Sequence, residues 1–147
     1  MTEIWNAPVT QILVGLALFY VGLKMFGGGF KAMGNVDHLK WFLGNPIYMF
    51  FGAIIMTLAW QSSSLSTVAI VGLLAGQVVS LPVAIAMVLG ANIGTTGTIW
   101  LAAAIGSNGF PTGELRQIAL VHTGVNTLMA VTLLPLVQPI ARLVGKF

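Results

Sequence analysis

The stretch Gln61-Ser62-Ser63-Ser64-Leu65-Ser66-Thr67 decides how this sequence folds. Its first part, Gln61 to Ser64, is a polar island between two apolar runs, residues 47–60 before it and 65–79 after it. Each run falls short of the roughly 20 residues that carry a helix across a bilayer. Asn45-Pro46 opens the first run, and Ser80-Leu81-Pro82 closes the second. Two short helices that meet at a polar tip read as a re-entrant hairpin over 45–80, entering and leaving the bilayer on one side. Non-helical backbone at that depth is tolerated only where protein or a polar cavity surrounds it.

The composition agrees with a bilayer as the solvent. Of 147 residues, 57% are hydrophobic and 6% are charged, whereas a soluble domain has about a quarter charged. The absence of cysteine excludes disulfides and thiolate metal sites. The net charge of +3 comes from six basic and three acidic residues. These lie scattered at segment ends, which suits membrane-flank anchoring and not nucleic-acid binding. Residues 1–10 show neither a basic n-region nor a small-residue cleavage site, so the first apolar segment is expected to be a retained membrane helix.

Working outward from the hairpin, a first span is expected over 10–30, with Gly15, Gly22 and Gly27-Gly28-Gly29 allowing close helix approach. Lys24 and Lys31 mark its far end and can snorkel. Residues 35–44, with Asp37, His38, Lys40 and Trp41, suit a short interfacial helix; His38 there reads as a solvated residue, not a ligand. After the hairpin, Pro82 opens a span over 82–105. It is interrupted by Gly90, Asn92, Gly94, Thr95, Thr96, Gly97 and Thr98, a pattern that predicts a helix broken near the midplane. A glycine- and proline-containing loop over 106–113 is followed by a last span over 114–144, which carries His122, Asn126, Pro135 and Pro139. The fold class is thus all-α integral membrane, a single domain of about three full spans with a re-entrant helical hairpin and a broken midplane helix.

Both polar interruptions are candidate binding sites. A half-helix that starts after Ser64 points unpaired N–H groups and partial positive charge at the break. Anions bind there without a basic side chain. Half-helix C-termini, unwound carbonyls and hydroxyls supply oxygen ligands for a hard cation. No Lys, Arg, Asp or Glu lies between Trp41 and Phe110. An anion desolvated in that region needs accompanying positive charge, and bound cations are the obvious source; the two would then depend on each other for binding. Ser, Thr and Gly also serve as packing residues between membrane helices, but two such clusters, each in the middle of a membrane segment, favour a site. His122 and Asn126 share one helix face and fit either a gating role or an interhelical hydrogen bond. A Ser–His hydrolase is disfavoured, because the sequence has no Gly-x-Ser-x-Gly elbow and no buried carboxylate to orient His122. The chain does not read as an enzyme.

Gln61-Ser62-Ser63-Ser64-Leu65-Ser66-Thr67, followed by Leu89-Gly90-Ala91-Asn92-Ile93-Gly94-Thr95-Thr96, closely resembles the type II sodium–phosphate cotransporter family. Ala119-x-x-His122-x-x-x-Asn126 and the first span look like the same family's repeat unit, and the resemblance covers roughly residues 14–135. Leu65 stands where the family has alanine, Ser66 where it has threonine, and one repeat is present instead of two inverted ones. The resemblance implies sodium-coupled phosphate transport, with no cofactor beyond sodium as the coupling ion. It implies phosphate at Gln61, Ser62, Ser63 and Ser64, and sodium at Gln61, Ser64, Ser66, Thr67, Asn92, Thr95 and Thr96. It further implies a site between paired repeats.

A single repeat therefore calls for a partner: an antiparallel homodimer or a homologous partner chain. Three crossings and a returning hairpin put the termini on opposite sides. Lys24, Lys31, Lys40, Arg142 and Lys146 then share one side, with Arg116 on the other, which favours one orientation. The expected location is the cell membrane, multi-pass. Transport of another small oxyanion, or a non-transporting assembly or sensing subunit, remain the alternatives at this point.

Overall fold

The computed structural model describes residues 8–33, 37–106, 109 and 112–145. Among these, every regular element is helical: α1 Pro8–Met33, α2 Asp37–Gly44, α3 Pro46–Trp60, α4 Ser63–Ala75, α5 Leu81–Gly106, α6 Gly113–Leu133, a 3-10 turn Leu134–Leu136, and α7 Val137–Val144. Three stretches are long and apolar enough to cross a membrane: Pro8–Gly29, Leu81–Gly106 and Gly113–Val144. The chain is an all-α membrane protein. The side chains of Lys31, Asp37, His38 and Lys40, together with Lys146 and half of the 106–113 loop, lie outside the described residues.

The hairpin elements end where the sequence places the stops. Asn45 caps α3, its Oδ1 accepting from the N–H of Ile47 (2.9 Å) and of Tyr48 (3.4 Å), with Pro46 at the first helical position, where no N–H is needed. The Asn45→Ala chain should lose about 1 kcal/mol of stability, read as a lowered melting temperature in detergent. At 15 residues, α3 spans ~22 Å, short of the ~30 Å hydrocarbon core. The 13-residue α4 is shorter still.

One expectation is corrected. The segment 90–98 is not a break: α5 runs unbroken from Leu81 to Gly106, so it offers neither half-helix ends nor unwound carbonyls. Its glycines serve close packing instead. Gly90, Gly94 and Gly97 recur at helical spacing on the edge that α3 lies against. A Cβ at Gly90 would collide with the Phe50 carbonyl and one at Gly97 with the Leu58 side chain, and one at Gly94 would stand 2.7 Å from Thr57 Cβ and 2.8 Å from the Ile54 carbonyl oxygen. Thr95 Oγ1 donates to the Ala91 carbonyl (2.8 Å), hiding its polarity within the helix. In an apolar medium the intrahelical bonds are the only full set of partners the backbone has, so the helix holds. The last span also departs from a single rod: Pro135 sits in the 3-10 turn that separates α6 from α7.

The core has two parts. Met49, Ala53, Ile70, Leu73, Val83 and Met87 join α3, α4 and α5. Phe50, Ala86, Leu89, Ala130 and Val137 join α3 and α5 to α6 and α7. Helix α1 touches α4 where Gly27 meets Gly72 and Gly76. Its Val9, Ile12, Leu13, Leu16 and Leu18 are exposed, an apolar surface suited to lipid or to another helix.

Candidate functional site

The break between α3 and α4 is built from its own hydrogen bonds. Gln61 ends α3 in the left-handed region (φ 51, ψ 28), its N–H donating to the Thr57 carbonyl (2.8 Å). Its side-chain Nε2 donates to the Leu58 carbonyl. A non-glycine residue there costs about 1 kcal/mol or more and persists where its surroundings over-determine it. The extended Ser62 then caps α4, its Oγ accepting from the Leu65 N–H (3.2 Å) and its carbonyl from the Ser66 N–H (3.1 Å). The first-turn N–H groups of Ser63 and Ser64 stay directed into the break, at the positive end of the helix dipole.

The predicted residues fall into three groups. The first is the hairpin tip, where Gln61 and Ser64 are exposed and Ser62 and Ser63 half-buried. Ser66 is fully buried, and Thr67 is exposed with its Oγ1 bonded back to the Ser63 carbonyl (2.9 Å). The second group rides on α5: Asn92 and Thr95 are half-buried on the side away from α3, by the 3.6-residue helical period, and Thr96 is buried. They stand at the level of Gly94, which touches Thr57 just before the tip. The third, on α6, stays apart. His122 and Asn126 bind each other: Asn126 Nδ2 lies 3.1 Å from His122 Nε2 and donates to the His122 carbonyl (2.9 Å). α6 packs on α5, and among the described residues no hydrogen bond joins this pair to the hairpin tip.

Sequence reasoning passed over Thr57. It is completely buried, and its Oγ1 donates to Ser66 Oγ (2.8 Å), which in turn donates to the Ser62 carbonyl (3.0 Å). The signal was present: a lone aliphatic hydroxyl in the 47–60 apolar run, one helical turn before Gln61. Trp100, which donates from Nε1 to Thr123 Oγ1 (3.0 Å) and ties α5 to α6, was also not anticipated.

The structure thus presents a pair of short helices with an uncharged polar tip, packed against a glycine-lined membrane helix. A model of the Na+/Pi-cotransporter family matches residues 18–145. The chain belongs to that family. It is 31% identical over 142 residues to sodium-dependent phosphate transport protein 2A of Mus musculus, covering 92% of this chain and 22% of the relative. It is 30% identical over 135 residues to sodium-dependent phosphate transport protein 2B of Homo sapiens (84% of this chain, 19% of the relative). It is 39% identical over 112 residues to protein 2C of Homo sapiens (73% and 18%). The chain thus spans about a fifth of the length of these relatives. No solved structure gives a significant match.

Proposed function

We propose that this chain is one repeat of a sodium-coupled phosphate transporter, completed by a second, inverted repeat. The observation that carries the reading is the left-handed Gln61 joined to the capped N-terminus of α4 in a region without formal charge. Phosphate oxygens take the N–H groups of Ser63 and Ser64 and the hydroxyls and amide of Gln61, Ser62, Ser63 and Ser64. Sodium takes oxygens of Gln61, Ser64, Ser66, Thr67, Asn92, Thr95 and Thr96, with α5 contributing side-chain oxygens from an intact helix. Sodium is the only accessory the cycle needs. Its charge offsets the cost of desolvating the phosphate, so each ion binds weakly without the other. In this reading a second repeat closes over the tip and over half-buried Asn92 and Thr95 on α5. That repeat is a second copy in antiparallel orientation or a homologous partner chain. His122 and Asn126, set back on α6, act in gating or in holding α6.

The chain reconstituted alone into liposomes, with sodium and phosphate varied independently, should take up phosphate only when sodium is present, with the apparent phosphate affinity rising as sodium rises. Phosphate affinity independent of every monovalent cation and of pH refutes the coupling. Absence of uptake by the inserted chain removes the homodimeric transporter and leaves a non-transporting subunit or one that needs a homologous partner chain, and uptake of another oxyanion in preference redirects the substrate. A cysteine added at the C-terminus should label from both faces of the membrane if two antiparallel copies form the unit. Labelling from one face only removes the dual-insertion homodimer.

A further inference from the structure

We infer that Thr57 is a positioning residue that fixes the shape of the hairpin tip; the inference rests on the tip being the transport site. Thr57 and Ser66 are both fully buried hydroxyls, one from each arm of the hairpin. Among the described residues, theirs is the one side-chain hydrogen bond that crosses from α3 to α4. Thr57 grips the turn at both ends. Its carbonyl takes the N–H of Gln61, and its hydroxyl runs through Ser66 Oγ to the carbonyl of Ser62. The two peptide units that define the break are thereby referred to a single residue. That residue is itself seated on α5, because its Cβ fills the space left by the missing side chain of Gly94.

The geometry explains how an unfavourable backbone conformation survives. Left-handed Gln61 needs surroundings that over-determine it, and a short chain of buried hydroxyls in a dry setting is strong, directional and costly to break. Thr57 touches neither ion in this arrangement. It acts by keeping the Ser63 and Ser64 N–H groups and the Gln61 amide in one constellation.

Thr57→Val keeps the shape and removes the hydroxyl; Thr57→Ser keeps the hydroxyl. In hydrogen exchange on the reconstituted chain, amides of residues 61–66 should exchange about tenfold faster in Thr57→Val and return close to wild type in Thr57→Ser. In the uptake assay, Thr57→Val should raise the phosphate KM by about tenfold while kcat changes little, and Thr57→Ser should restore it. Should Thr57→Val fail to fold, Thr57→Ala carries both readouts. Unchanged exchange, or a wild-type KM in a hydroxyl-free variant, overturns the inference. If the wild-type chain itself shows no sodium-dependent uptake, transport by this chain alone falls while the exchange arm still decides the role of Thr57: faster exchange rescued by serine supports it, and unchanged exchange overturns it.

Discussion

A Gln61→Gly chain should be slightly more stable than the wild type and yet transport poorly. The left-handed conformation at Gln61 (φ 51) costs an ordinary residue about 1 kcal/mol, and glycine adopts it freely. The wild-type amide also binds the exposed Leu58 carbonyl, which offsets part of that gain. Replacing it removes a hydrogen bond to an ionic ligand, which carries about 1.5–3 kcal/mol, so the efficiency of sodium-dependent phosphate uptake should fall about ten- to a hundredfold. Ser63→Ala should lower uptake in the same direction, with membrane insertion intact in both. The pairing of a raised melting temperature with lost uptake separates a binding role from a folding role. Wild-type uptake by both variants would remove the hairpin tip from the site.

The second large effect concerns the seam between α3 and α5. Gly94→Leu forces a side chain where a Cβ alone would already meet Thr57 Cβ at 2.7 Å and the Ile54 carbonyl oxygen at 2.8 Å. A backbone carbonyl cannot move aside as a flexible side-chain end can, so α3 must be displaced from α5 along its length. Overpacking typically costs about 1–3 kcal/mol and sometimes more, and here it also pulls Thr57 from its seat beneath the tip. The expected result is a large fall in melting temperature together with loss of uptake. Gly15→Leu is the control: nothing lies within 4 Å of a Cβ at that position, so this chain's own fold should tolerate it. Equal stability of the two variants would mean that the seam is not closely packed.

Much of this was legible in the residues. The hairpin could be read because Asn45-Pro46 and Gln61-Ser62 are local signals, and local chemistry alone starts and stops those helices. The segment 90–98 was misread because glycine and threonine break helices in water but pack helices together in lipid, and the sequence does not say which neighbour is waiting. The spacing of Gly90, Gly94 and Gly97 along one edge was the clue to packing. Thr57 escaped because its meaning depends on Ser66 across the turn and on Gly94 in another helix, neither of which is a sequence neighbour. That Trp100 would bind Thr123 likewise depends on how α5 and α6 meet, which neither segment states by itself.

The glycine contact of α1 has a mechanical consequence. The helix rests on α4 from Leu23 to Gly27, while Pro8 lies 15 residues beyond Leu23, about 22 Å at ~1.5 Å per residue. A rocking of ~10° about that contact would sweep the far end through about 4 Å. Any tilt of the first helix would therefore be delivered to the C-terminal end of α4, whose other end carries Ser63 and Ser64.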